Sequence, residues 1–171
     1  EFRRVLFRSK ATTDFLTNLY NRRKFDMMMQ YEINQVKRHS NRNLSIILLD
    51  IDNFKYINDN HGHDVGDKIL QKLAQILTIT SRQSDVVARW GGEEFVLLLS
   101  ETNIEEAYKV AQKIRSTIED HEFTLQLRIT CSLGVSQFQT TDNYKTLFHR
   151  ADTALYVAKH TGKNKVELEK L

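Results

Sequence analysis

RWGGEEFVLLLS, residues 89–100, sets two glycines and two carboxylates, Glu93 and Glu94, between one apolar segment and another. A glycine pair between strand-like runs is a hairpin signal, because glycine reaches positive φ without steric penalty. A hairpin accounts for Gly91 and Gly92 and makes DVVARW and EFVLLLS its two arms. It does not account for adjacent acids at the mouth of a run as apolar as FVLLL, which reads as sheet interior. The pattern predicts a cationic partner for those acids.

Upstream of the hairpin, NRRKFDMMMQYEINQVKRHS carries Phe25, Met28, Met29, Ile33 and Val36 at helical spacing, and LSIILLD, residues 44–50, reads as a buried strand. From Asp64, DVGDKILQKLAQILTIT lines Val65, Ile69, Leu73, Ile76 and Leu77 along one helical face. Downstream, NIEEAYKVAQKIRSTIED opens with Asn103 as an N-cap ahead of first-turn acids. FTLQLRITCSLGVSQF then supplies one or two strands, YKTLFHRADTALYVAKHTG a last helix ending at Gly162, and NKVELE a closing strand. After the first helix the order is β-α-β-β-α-β with an appended helix and strand. This is the split βαβ, ferredoxin-like pattern, an α+β fold with a central, mainly antiparallel sheet flanked by helices. In that topology the third strand lies antiparallel between the first two, so the carboxyl end of the first abuts the start of the third. Asp50 ends the one and Glu93 and Glu94 begin the other, so acids distant in sequence meet at one sheet edge.

Carboxylate oxygens with a backbone carbonyl suit a hard cation that also keeps bonds to phosphate and water, for which Mg²⁺ is the usual choice and Mn²⁺ also acceptable. Such an ion positions a triphosphate and offsets charge in phosphoryl or nucleotidyl transfer. Taken singly, each acid has a plainer account: Asp50 and Asp52 cap the following loop, and Glu93 and Glu94 are solvated hairpin acids. Their convergence favours the metal. NFKYINDNHGHDVGDK, residues 53–68, is rich in Asn, Asp, His and Gly and reads as a link into the next helix. Lys55 is placed to reach a phosphate there, and Asn58 and Asp67 offer the donor and acceptor mix that reads a purine edge. His61 and His63 have no cysteine or helically spaced histidine partner, so a transition-metal site is disfavoured. Trp90 reads as a packing residue of the hairpin, and Cys131 as a small apolar strand residue.

The remaining composition narrows the class. At 171 residues the chain suits one well-filled domain. A net charge of +3 and a pI near 9.0 are too weakly basic to argue for nucleic acid and compatible with a phosphorylated ligand. No apolar run is long enough to span a bilayer. The single cysteine excludes an internal disulfide and fits a reducing compartment, so the cytoplasm is the expected location. EFRRVLFRS, residues 1–9, has neither helical nor strand period and looks like the translation of a sequencing-adapter oligonucleotide. The domain is therefore read as residues 10–171, with native chain expected to have continued upstream.

GGEEF at 91–95, DIDNFKYINDNHGHDVGD at 50–67, DFLTNLYNRRKF at 14–25 and ADTALYVAKHTGKNKV at 151–166 together resemble the GGDEF-type diguanylate cyclases, in a GGEEF variant. The resemblance runs from about Asp14 to Val166. It implies condensation of two GTP molecules into cyclic di-GMP on a fold akin to nucleotide-cyclase and polymerase palms. By position, it implies that Asp50 and Glu93 are side-chain metal ligands, Ile51 a backbone-carbonyl ligand, and Asp52 and Glu94 further acids of the site. It also implies that Glu93 helps activate the attacking 3′-hydroxyl. Asn58 and Asp67 would bind guanine; Gly91 and Gly92 would admit backbone close to the nucleotide; Phe54, Lys55, Lys159 and Lys163 would line or bind the triphosphate. The family often has Arg at position 163, and lysine keeps the charge without the bidentate fork.

Arg82-Gln-Ser-Asp85, an ordinary polar helix end by itself, falls at the spacing of the family's inhibitory RxxD site, where arginine clamps phosphate and guanine of the product. The resemblance implies an enzyme active as a homodimer of facing half-sites and inhibited by cyclic di-GMP. A non-catalytic module sensing GTP or cyclic di-GMP is the other reading, disfavoured because Asp50 and the whole 91–94 motif are intact. A cyclase using adenine is disfavoured by Asp67, whose carboxylate accepts from guanine N1 and N2.

Overall fold

The computed structural model describes residues 11–39 and 41–170, so the adapter-like reading of residues 1–9 lies outside the described residues. The elements are β1 (Tyr20–Asn21), α1 (Arg22–Arg38), β2 (Leu44–Ile51), α2 (Phe54–His61), α3 (His63–Thr80), β3 (Val86–Arg89), β4 (Glu94–Ser100), α4 (Ile104–Asp120), β5 (Cys131–Gln137), α5 (Tyr144–His160) and β6 (Val166–Leu168). They form one six-stranded sheet in the order β1-β3-β4-β2-β5-β6. β4 pairs antiparallel with both β2 and β3, and β2 pairs antiparallel with β5; only the outer pairs β1–β3 and β5–β6 are parallel. The expected mainly antiparallel α+β sheet, with β4 between β2 and β3, is what the chain adopts.

Strand alternation divides the core in two. On β2, Ile47, Leu49 and Ile51 face the side covered by Leu73 and Leu77 of α3 and Ile114 and Ile118 of α4. Ile46 and Leu48 face the side covered by Phe25, Met29 and Ile33 of α1 and Leu147, Ala151 and Leu155 of α5. A strand with helices on both faces needs apolar residues at every position, hence the unbroken runs SIILL and FVLLL. Gly134 of β5 lets α5 approach closely: a Cβ there would lie 2.1 Å from the Ala151 carbonyl oxygen.

Asparagine side chains cap the starts of α1, α4 and α5. Asn21 accepts from the Lys24 N–H at 3.0 Å, and Asn103 and Asn143 each complete a reciprocal capping box, with Glu106 and Thr146. Two features depart from expectation, the helix in the 53–63 link and the backbone of the 91–92 turn, while the 123–138 segment falls within it. The 53–63 link contains a helix, α2, and α3 starts at His63. The segment 123–138 holds one strand, preceded by a 3₁₀ turn at Thr124–Gln126. The hairpin at 91–92 forms as expected, but neither glycine has positive φ. The turn is held instead by the Trp90 and Gly91 N–H groups, which donate to the Glu94 carbonyl at 2.8 and 3.3 Å.

Candidate functional site

Three segments converge at the carboxyl end of β2. Register pairs Asp50 with Glu94 on one side and with Ser132 on the other, and the Ile51 N–H donates to the Glu93 carbonyl at 3.3 Å. The acids expected to meet do meet. Burial raises the pKa of Glu93, and the charge of Asp50 raises it further. Burial likewise raises Glu94, with Asp50, Glu93 and Asp152 adding repulsion. Asp50 is also raised, by burial first, and the charge of Asp52 adds to that against the attraction of Lys159. A crowded set of acids, Asp50 and Glu93 half-buried and Glu94 at the surface, is one that a cation stabilises.

Lys159, on the last turn of α5, supplies one positive charge. Its ammonium pairs with Asp50, lies 3.1 Å from Asp52 Oδ1 and donates to the Ile51 carbonyl at 3.0 Å. Burial would lower the lysine's pKa, but the contacts with both carboxylates outweigh it and the net shift is upward. Among the described residues no three His, Cys, Asp or Glu side chains form a metal cage. The groups here that could hold an ion are two side chains, Asp50 and Glu93, and the Ile51 backbone carbonyl. That all-oxygen, incomplete set fits Mg²⁺ or Mn²⁺, which fill their remaining positions with phosphate and water.

Asp52 has a different role from its neighbours. It is buried, and Thr130 Oγ1, Ser132 Oγ and the Asn164 N–H donate to it at 2.7, 2.8 and 3.0 Å. Burial alone would raise its pKa, yet these donors hold it below the ordinary range. With its lone pairs so engaged, Asp52 fastens β5 and the 163–165 turn to β2 and steadies Lys159. Thr130, Ser132 and Asn164 carried no signal in the sequence.

The phosphate-binding candidates lie beside this cluster. Asn53 adopts φ 56 and ψ 28 and makes no side-chain cap, which leaves the first-turn N–H groups of α2 without a side-chain acceptor, a setting suited to an anion. Lys163 Nζ donates to Asn53 Oδ1 at 2.5 Å, so the Lys163 charge sits at that helix start. Phe54 is buried in the core and can offer a ligand only its backbone. Lys55 is exposed and pairs with Asp59 at 2.7 Å on its own helix, away from the acids. Asn58 lies over Gly66: a Cβ at 66 would come within 1.9 Å of Asn58 Oδ1. Asp67, the next residue, is exposed on α3, so Asn58 and Asp67 share the α2–α3 corner.

An unforeseen clamp holds the 91–94 turn. Arg89 donates to the Gly91 carbonyl at 3.1 Å, to the Gly92 carbonyl at 2.8 Å, and to Asp14 at 3.2 Å; Asp14 also accepts from Thr17 N–H and Oγ1. Trp90 packs as expected, edge-on to Phe25 and against Phe148, with the Arg22 guanidinium 4.2 Å from its ring centre.

Arg82 and Asp85 lie at the opposite end of β3 from the glycines, about 13 Å of strand away. They close a turn on each other, the Arg82 N–H on Asp85 Oδ2 at 2.8 Å and the Asp85 N–H on the Arg82 carbonyl at 3.0 Å. A groove of about 560 Å³ adjoins them, lined also by Asn18, Tyr20, Ser81 and Val87. The Arg82 guanidinium forms no salt bridge among the described residues, although its charge acts on Asp85.

Comparisons with known proteins agree with this geometry. The family model for the diguanylate cyclase GGDEF domain matches residues 11–165. Diguanylate cyclase DosC of Escherichia coli K12 is 38% identical over 170 residues, covering 95% of this chain but only 36% of that protein. The chain thus spans about a third of the length of that curated relative. The structure of the GGDEF domain of DgcB from Caulobacter crescentus, in complex with c-di-GMP, superposes with a TM-score of 0.88 at 30% identity, covering 94% of this chain and 97% of that one. The active GGEEF domain of a diguanylate cyclase from Vibrio cholerae superposes with a TM-score of 0.84 at 36% identity, covering 88% and 97%. Among the described residues no helix is long and apolar enough to cross a membrane.

Proposed function

The chain belongs to the GGDEF-domain diguanylate cyclase family, and on that premise we propose that residues 10–171 form one catalytic domain that condenses two GTP molecules into cyclic di-GMP. The observation that carries this reading is the juxtaposition of Asp50 and Ile51 with Glu93 at one sheet edge, through the 3.3 Å bond from Ile51 N–H to the Glu93 carbonyl. In each of two condensations the 3′-oxygen of one GTP forms a bond to the α-phosphorus of the other. The bond from that phosphorus to the bridging oxygen breaks, pyrophosphate leaves and the 3′-hydroxyl proton passes to a base. Glu93, made more basic than an ordinary glutamate by burial and by Asp50, is suited to take that proton. Asp50, Glu93 and the Ile51 carbonyl would hold Mg²⁺ or Mn²⁺, which when bound offsets charge on the triphosphate.

Asn58 and Asp67 hydrogen-bond guanine at the α2–α3 corner, and Lys159, Lys163 and the start of α2 receive the triphosphate. Each domain holds one GTP, so two copies face each other to complete the product. Cyclic di-GMP returns to the groove at Arg82 and Asp85 as an inhibitor, and the enzyme works in the cytoplasm.

Purified protein at high concentration, incubated with Mg²⁺ and separately GTP or ATP, is expected to yield cyclic di-GMP from GTP alone, and none with Glu93→Gln. Specific activity should rise with protein concentration, and Arg82→Ala should abolish the slowing caused by added product. GTP or cyclic di-GMP bound without turnover, even in a forced dimer, would instead assign a sensing module.

A further inference from the structure

The Lys159 ammonium occupies the oxygens that a divalent cation needs. It pairs with Asp50 and lies 3.0 Å from the Ile51 carbonyl oxygen, and these are two of the three groups read above as metal ligands. Its remaining contact, 3.1 Å to Asp52 Oδ1, is to an acid already held by Thr130, Ser132 and the Asn164 N–H. An ammonium and a dication within bonding distance of the same two oxygens repel each other strongly in a half-buried site. They are therefore alternatives there.

We propose that Lys159 is an exchangeable counter-cation of the Asp50–Ile51 site, which yields these oxygens to the divalent ion and carries its own charge to the triphosphate that the ion accompanies. The inference rests on the reading of Asp50 and Ile51 as metal ligands.

Three features of the structure make the exchange feasible without refolding. The neighbours of Lys159 on α5, Leu155 and Ala158, are buried, so the helix stays fixed while the four-carbon stem swings. A destination lies alongside: Lys163 already rests on Asn53 at the start of α2, where N–H groups have no side-chain cap. Asp52 keeps three other donors when the lysine leaves, so no buried carboxylate is stranded.

The consequence is a coupling of ligands. Metal alone competes with Lys159 and binds weakly, whereas metal arriving with a triphosphate gives the ammonium a new partner and binds as a unit. Removing the ammonium should therefore tighten metal binding when no nucleotide is present, opposite to the loss expected for a residue that only helps to build the site.

The test is Mn²⁺ binding to the nucleotide-free 171-residue chain, followed by loss of the free-ion electron paramagnetic resonance signal. The proteins are wild type, Lys159→Met, Lys159→Gln, Asp50→Asn and the Asp50→Asn/Lys159→Met double variant. Both Lys159 variants are expected to bind Mn²⁺ about tenfold tighter than wild type or more, and the double variant to lose that gain. Equal or weaker binding by folded Lys159 variants, with Asp50→Asn still abolishing it, overturns the exchange and leaves the ligand assignment standing. Binding indifferent to Asp50→Asn, or absent from wild type and both Lys159 variants, overturns the ligand assignment and the exchange with it. A measurement on wild type needs no variant to fold: the ¹⁵N resonance of the Lys159 ammonium should shift as Mg²⁺ is added, and a resonance unchanged through saturation overturns the proposal.

Discussion

Gly66→Ala is expected to separate the proposed base recognition from stability with a single methyl group. Gly66 is buried in α3, and a Cβ there would stand 1.9 Å from Asn58 Oδ1 and 3.0 Å from its Cγ, so the Asn58 amide must rotate away. Phe54 Cζ, at 3.2 Å, need yield only a few tenths of an ångström. Alanine in a helix interior is favoured over glycine by about 0.5–1 kcal/mol, which offsets that small displacement. The midpoint of thermal unfolding should therefore move by less than about 3 °C. Loss of one neutral hydrogen bond to guanine costs about 0.5–1.5 kcal/mol, or roughly a 2- to 12-fold rise in KM for GTP. Because the guanine contact is remote from the reacting phosphorus, kcat should hold. Initial rates against GTP concentration for wild type, Gly66→Ala, Asn58→Ala and the double variant would measure this. The two single variants should match and the double should be no worse than either, since both remove the same contact. An unchanged KM in Gly66→Ala, or additive effects in the double variant, would refute the assignment of Asn58 to the base.

The other glycines should sort by what surrounds them. Gly134→Ala drives a Cβ to 2.1 Å from the Ala151 carbonyl oxygen and 2.4 Å from the Leu155 nitrogen, both backbone atoms, so α5 must draw back from β5 to restore contact distance. This should cost about 3 kcal/mol and lower Tm by roughly 6–12 °C in a circular dichroism melt. Gly92→Ala meets nothing within 4 Å and has no positive φ, so its Tm should stay near wild type, while turnover falls if the nucleotide approaches that backbone. Burial and the charge of Asp50 raise the Glu93 pKa in the metal-free protein, so Mn²⁺ affinity should begin to fall at a pH above 4.5, the ordinary glutamate value, as protonation of Glu93 competes with the ion; affinity unchanged down to pH 4.5 would contradict its burial. Arg150→Met leaves the buried carboxylates of Asp142 and Glu169 unpaired and should destabilise the fold by about 3 kcal/mol at pH 7. Arg150 holds the Asp142 pKa below 3.8 in wild type, a contribution present above that pH and lost as pH falls through the lower folded value. Without Arg150 that lowering weakens, so the gap between the urea midpoints of wild type and variant should narrow as pH falls through the range below 3.8.

What the sequence disclosed and what it withheld follow from the range of the interactions involved. The runs at 44–50 and 94–100 are continuous because their strands are covered on both faces, and the acids that end and begin them are conspicuous against that background. The helix α2 escaped notice because FKYINDNH has only Phe54 and Ile57 as apolar anchors and no capping side chain at Asn53. It is held by tertiary contact, with Phe54 in the core and Asn58 on Gly66. The glycine pair did mark a hairpin, but for a reason other than left-handed backbone. At Gly91 a Cβ would stand 3.0 Å from Glu94 Oε2, so what the position limits is space beside the acid. The Arg89–Asp14 clamp joins residues 75 apart through polar side chains, which leave no periodicity to read.

The acids and the core share one determinant, and this explains why so much of the site was legible. Register between β2 and β4 runs without interruption from Leu44 opposite Ser100 to Asp50 opposite Glu94. Successive side chains alternate between faces, so a slip of one residue would turn Ile47 and Leu49 out of the α3–α4 core and carry Asp50 into it. The apolar contacts that forbid this slip along seven paired positions therefore also set Asp50 against Glu94 and the Ile51 N–H against the Glu93 carbonyl. Substitutions that loosen the interior of β2 should then degrade metal binding before the chain unfolds. Leu49→Ala, whose side chain is fully buried next to Asp50, is the case in which that order of failure should be seen first. Mn²⁺ affinity in Leu49→Ala should fall at temperatures where far-ultraviolet circular dichroism is still native, and a loss of both together would mean that site and core fail as a single unit.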